Sequence, residues 1–157
     1  MLKQVRLLSV FVFVLALGAS TVLANGNRSA TRVNGTITLT LFGGPGCDSP
    51  TGLCSTGSTS GDLVGDVFSE VTEFTEGRVF NRVRANTTIT TAEGQLITKL
   101  SGRVAVADGA SNTRLRIVGG TGIYEGARGL IRNEGTLDPA TGVETVIYTG
   151  TVVVPGN

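Results

Sequence analysis

The residues best placed to do chemistry lie in Asp66-Val67-Phe68-Ser69-Glu70-Val71-Thr72-Glu73-Phe74. Read as a strand with a side-chain period of two, this run puts Asp66, Phe68, Glu70, Thr72 and Phe74 on one face, so two carboxylates share a wall with two aromatic rings. In a desolvated cavity such a carboxylate has a raised pKa and can act as a general acid or base. Asp66 and Glu70 are therefore the candidate catalytic residues, and Phe68, Phe74 and Tyr124 the candidate ligand-binding ones. The competing arrangement turns this face to water and pairs Glu70 with an arginine of the next strand, where Arg78, Arg82 and Arg84 alternate, because opposite charges across an antiparallel pair help to fix register.

What the chain lacks narrows the chemistry further. It has no histidine and two cysteines, so neither a Ser-His-Asp or Cys-His nucleophile nor a histidine-ligated or four-thiolate metal site can be built. A formal net charge of +1 gives no electrostatic reason to expect a nucleic-acid partner.

The first residues read as a targeting segment. Lys3 and Arg6 form a positive start, Leu7 to Leu17 is an uninterrupted apolar run, and Val22-Leu23-Ala24 presents a cleavage pattern, the layout of a secretory signal peptide. The alternative, an uncleaved anchor, needs about 20 apolar residues, more than this run supplies unless Gly18 to Leu23 are counted. Residues 1–24 are read as a cleaved signal peptide and 25–157 as the mature domain, secreted or periplasmic, with no stable membrane anchor. In such a compartment Cys47 and Cys54 are an obvious disulfide pair. Their Gly-Pro-rich surroundings from Gly43 onward read as a loop over 43–61 that also takes in the serines after Cys54. The spacing is not Cys-x-x-Cys, which favours a structural bridge over a redox site.

The elements that must position these residues are strands. Glycine makes up 23 of the 157 residues against four prolines, without a strict period, so the composition is that of a turn-rich globular domain and not of collagen. Long runs rich in Thr and Val alternate in polarity over Val33–Phe42, Asp62–Phe74, Arg78–Thr91, Gln95–Ala107, Thr113–Val118, Gly129–Leu137 and Val143–Val154. Glycine-bearing breaks at Gly77, Gly94 and Gly109 separate several of them, able to take the positive φ of tight turns. Runs of a dozen residues are too long for a flat sheet in a domain of this size, and closure into a barrel absorbs the length by tilt. Seven runs call for an eighth strand, in 25–31, in 55–60 or from the division of a long run. The sparse aromatics do not make the belts of an outer-membrane barrel.

The most distinctive segment is Ile117-Val118-Gly119-Gly120-Thr121-Gly122-Ile123-Tyr124-Glu125-Gly126-Ala127-Arg128-Gly129. A dinucleotide-binding glycine loop is excluded by context, since no βαβ repeat precedes it and only strand-like sequence follows. The segment resembles the Gly-Gly-Thr-Gly-x-(Phe/Tyr)-x-Gly-Ala-x-Gly turn of the allene oxide cyclase and dirigent barrel superfamily, with Gly119, Gly120, Gly122, Gly126 and Gly129 as its structural glycines. The resemblance implies an all-β, single antiparallel eight-stranded lipocalin-like barrel, commonly a homotrimer, with an apolar lumen for a small lipophilic ligand and no cofactor. It further implies cyclase-, isomerase- or coupling-type steering if the lumen does chemistry. The acid that the cyclases carry near their first strand has no counterpart in Thr31 to Phe42. A non-enzymatic secreted structural or interaction barrel with a filled core is accordingly the second reading, and the direction in which Val67 and Val71 point separates the two.

Overall fold

In the computed structural model, which describes residues 28–156, eight antiparallel strands and one short 3₁₀ turn make up the domain. The strands are β1 (Arg28–Phe42), β2 (Cys54–Gly61), β3 (Gly65–Thr75), β4 (Phe80–Thr91), β5 (Gly94–Ala105), β6 (Ala110–Gly120), β7 (Arg128–Asp138) and β8 (Val143–Pro155). Each pairs with its neighbours in sequence, and β1 also pairs with β8, so the sheet is a closed up-and-down barrel. The expected signal peptide, residues 1–24, lies outside the described residues. No described helix is long and apolar enough to cross a membrane.

The eighth strand is β2. The segment expected as a loop over 43–61 is a loop only as far as Leu53; Cys54-Ser-Thr-Gly-Ser-Thr-Ser-Gly61 pairs with β1 on one side and β3 on the other. Its inward positions, Ser55, Gly57 and Thr59, are not hydrophobic, so the strand carries no apolar alternation, and the ladder rather than burial of large side chains fixes it. Residues 28–31 do not form a separate strand but extend β1, by pairing with β8 from Arg28↔Pro155 onward.

The interior is filled in layers. Val33, Ile37, Leu39, Val67, Ile89, Leu96, Leu115, Ile117, Ile131, Val146, Tyr148 and Val152 all point inward and are buried. At one end, the β2–β3, β4–β5 and β6–β7 turns close over the core. There the Tyr148 hydroxyl accepts a hydrogen bond from the Leu63 amide (2.9 Å) and donates one to the Ser60 carbonyl (3.1 Å), which ties β8 across the barrel to the β2–β3 turn.

The same end holds the distinctive glycine segment. Tyr124 is buried against the core, and Gly122–Tyr124 forms the 3₁₀ turn. Gly122, Gly126 and Gly129 adopt positive φ (61°, 68° and 146°), the region that side chains with a Cβ disfavour. Arg128 caps the turn by donating to the carbonyls of Val118 and Ala127, both at 2.7 Å. Of the hairpin glycines, Gly94 and Gly109 take positive φ as expected. Gly77 does not; it is small because an added Cβ would come 2.3 Å from the Phe80 carbonyl.

Candidate functional site

The structure places the candidate acids outside the lumen, on the water-facing side that the competing arrangement gives them, but without its arginine partner for Glu70. On β3 the inward residues are Val67, Ser69 and Val71, all buried, while Asp66, Phe68 and Glu70 face outward. Glu70 lies opposite Cys54 and Asn86, not opposite an arginine. Beyond Glu70 the strand carries a bulge: register shifts between Val71 and Glu73, so Val71 faces Ala85 while Glu73 faces Arg84. One extra residue reverses the phase of the strand. Thus the ion pair expected for Glu70 is made by Glu73, 3.1 Å from Arg84, and Phe74 turns inward although Phe68 does not.

The bulge also organises the disulfide loop. It frees the Val71 carbonyl from the ladder, and the hydroxyls of Ser49 and Thr51 both donate to it, Thr51 at 2.8 Å. The Val71 amide donates to the Leu53 carbonyl (3.0 Å), and Cys47 and Cys54 are bonded to each other as expected. The β1–β2 loop is thereby fastened beside the barrel mouth.

Phe74 and Leu53 help to line a cavity at that mouth, the end opposite the tyrosine closure. Its volume is about 70 Å³. Leu39, Leu41, Val71, Val83, Leu100, Val104 and Leu137 supply apolar walls, and Ser55, Ser69 and Thr113 add hydroxyls deeper in the barrel. Below them run buried polar links. Ser69 and Thr87 hydroxyls are 2.9 Å apart, Thr98 donates to the Thr87 carbonyl (2.9 Å), and Asn133 donates from its amide to Thr113 (3.3 Å) while its own Oδ1 has no protein partner.

One carboxylate does enter this cavity: Glu144. It shares the inward parity of Val146, Tyr148 and Val152 on β8 and lies between Leu39 of β1 and Leu137 of β7. The Ser111 hydroxyl donates to its Oε1 (2.5 Å). Burial pushes its carboxyl above the ordinary glutamate range, and the serine hydrogen bond offsets only part of that effect. The sequence reading missed Glu144, although its even spacing from Val146, Tyr148 and Val152 marked it as inward. Such a group holds a proton at higher pH than an exposed glutamate and can donate it to an ether, epoxide or carbonyl oxygen.

A pH prediction follows from that direction. The folded chain binds this proton more tightly than the unfolded chain, so stability contributed at low pH is lost as pH rises from the unfolded value of 4.5 through the raised folded value. Subtracting the melting-temperature profile of Glu144→Gln from that of the native chain should leave a curve that falls with rising pH above 4.5. A flat or rising difference would contradict the burial of the carboxyl.

Tyr124 and Phe68 do not reach the mouth cavity, the first being packed in the closed end and the second on the outer wall beside Phe42, ring centroids 6.3 Å apart. Of the three aromatic candidates only Phe74 lines it. Among the described residues no cluster of three or more potential metal ligands occurs.

These features define a closed eight-stranded antiparallel barrel, sealed at one end and amphiphilic at the other. No family model and no curated protein matches the chain. Among solved structures it is similar to two pterocarpan synthase dirigent proteins. One has a TM-score of 0.40 at 16% identity, with 83% of this chain and 87% of the other covered. The second has a TM-score of 0.36 at 16% identity, covering 83% of this chain and 97% of the other.

Proposed function

We propose that the chain is an exported barrel of the dirigent and allene oxide cyclase type that takes the end of a small lipophilic molecule into its mouth and presents Glu144 to it. The observation that carries this reading is the single protonatable carboxyl of Glu144, set among leucine and valine side chains in an opening that leads down to hydroxyls. Such a site favours a ligand with an oxygen function near one end and an apolar remainder. Export is supported by the apolar leader with its cleavage pattern and by the Cys47–Cys54 bond, a pairing characteristic of oxidising compartments such as the extracellular space or periplasm.

The size of the cavity limits the ligand. About 70 Å³ is well below the roughly 150 Å³ that admits benzene and the 300–1,000 Å³ of sites that enclose drug-sized molecules. Only the terminal atoms of a ligand enter, and the rest lies across the exposed rim of Val79 and Val106. Chemistry there would be proton donation from Glu144 and its return, with the barrel wall restricting the conformers of the bound end. If the family's trimeric assembly is shared, sedimentation of the mature chain should give three times its monomer mass.

A second reading is favoured by the same small volume and by the inward Val67 and Val71: a barrel filled by its own side chains and serving as a scaffold. Titration of the mature protein with phenol and with 1-hexanol, followed by protein-detected NMR, separates the two. Saturable shifts confined to the mouth strands and altered by Glu144→Gln support ligand binding. Absence of saturable shifts with both probes leaves the scaffold.

A further inference from the structure

The outer wall carries a feature that the lumen does not explain. Along β4 to β7 the outward positions bring like charges directly opposite one another: Arg82 faces Arg103, Lys99 faces Arg116, and Arg114 faces Arg132. Pairs of this kind destabilise a sheet, and among the described residues the only ion pair is that of Arg84 with Glu73. The near-zero net charge, which argues against an anionic partner, thus conceals a segregated one. The outward acids Asp66, Glu70 and Glu73 sit on β3, and β4 to β7 carry seven outward cations, Arg82, Arg84, Lys99, Arg103, Arg114, Arg116 and Arg132, against the single strand-interior acid Glu134 beside Arg132, so this half of the wall is predominantly basic.

From this face we infer a binding surface for an acidic polysaccharide, one whose sugars bear carboxylates or sulfates. The cations border two half-open grooves of about 530 and 800 Å³, whose one carboxylate, Glu73, is paired with Arg84. Ser101, Asn112 and Asn86 stand between them, and supply hydrogen bonds of the kind that sugar hydroxyls take. Arg103 is held over the Phe80 ring, 4.5 Å from its centroid, which leaves its guanidinium edge free to meet an anion.

The shape of the wall selects among polyanions. The charges span four of eight strands, half of the circumference, with neighbouring strands about 4.8 Å apart. A flat membrane meets only part of so curved a surface at once, whereas a flexible chain can cross it from strand to strand. Single-stranded nucleic acid is held by aromatic platforms that stack on bases, and the only ring at this face, Phe80, is already covered by Arg103.

The test uses the mature chain with polygalacturonate and dextran sulfate as probes, and neutral dextran, an oligothymidylate and phosphatidylglycerol vesicles as comparisons. At least one acidic glycan should bind, with an affinity that falls roughly tenfold or more between 50 and 200 mM salt. The double variant Arg114→Ser/Arg132→Ser should weaken that binding about tenfold, as expected for the loss of two ionic contacts, while melting no lower than the native chain because a repulsive pair is gone. Arg28→Ser, on β1, should bind as the native chain does. The inference is overturned if neither acidic glycan binds, if neutral dextran binds equally, if the oligonucleotide or the vesicles bind more tightly than both glycans, or if Arg28→Ser loses as much as the double variant. Because no mouth residue is altered, a negative result here leaves the ligand-binding reading of the lumen to its own titration.

Discussion

Replacement of Tyr148 by alanine is expected to lower the unfolding free energy by about 3–5 kcal/mol, the range for removal of a buried aromatic side chain. The ring is essentially inaccessible and closes the sealed end of the barrel. It also fits a space that only glycine leaves open: Gly35 lies opposite Tyr148 in the β1–β8 ladder, and a Cβ on it would come 2.6 Å from the ring. Tyr148→Phe separates packing from polarity. It keeps the ring but strips the Leu63 amide and the Ser60 carbonyl of their partner, a loss of about 1–3 kcal/mol for buried groups left unpaired. Urea titration of the three proteins checks both figures. A Tyr148→Phe protein as stable as the native chain would show that the hydroxyl bridge contributes nothing.

The second large effect concerns two adjacent glycines of the distinctive segment, which are predicted to behave differently. A Cβ on Gly120 would lie 2.3 Å from the Gln95 carbonyl oxygen and 2.6 Å from that of Tyr124. Both obstacles are backbone, so the β5 ladder or the 3₁₀ turn must move. Gly120→Val should therefore cost about 3 kcal/mol, at the upper end of the usual range for overpacking, and loosen the Tyr124 plug. Gly119 has no atom within 4 Å of its added Cβ and no positive φ. Gly119→Ser should change stability by no more than about 0.5 kcal/mol, as surface substitutions do. Thermal melts of the two variants decide the matter, and equal losses would mean that the segment is constrained by something other than close backbone approach.

The contrast bears on how much of the molecule can be read from its residues. Alternation located seven strands because each buries large apolar side chains on one face, whereas β2 was legible only as one of three possible places for an eighth strand, because Ser55, Gly57 and Thr59 occupy its inward positions. The end of the glycine segment was legible through its glycines, of which three need positive φ and one, Gly120, needs close approach. On β3 the water-facing alternative describes Asp66, Phe68 and Glu70, whereas the place of Phe74 was not legible, because the bulge before Glu73 breaks in space the period of two that it keeps in sequence. No residue in Val71-Thr72-Glu73 is a glycine or proline that would have announced it. Glu144 was legible in principle from its parity with Val146 and Tyr148. What parity alone does not reveal is that its carboxyl ends beside Ser111, on a strand 33 residues earlier in the chain.

The closure of the barrel has a kinetic side. β1 and β8 pair along thirteen consecutive positions, from Arg28↔Pro155 to Thr40↔Val143, so the first strand of the domain finds one of its two partners only when the last has emerged. Hairpins between successive strands can form in order of synthesis, but the final seam joins residues more than a hundred positions apart, a contact of the kind that slows folding. Until that seam forms, β1 and β8 are open edges that present unpaired backbone groups to any passing strand. Folding of this chain should thus end in a late, slow closing step, and the period before it is when the protein is most exposed to aggregation.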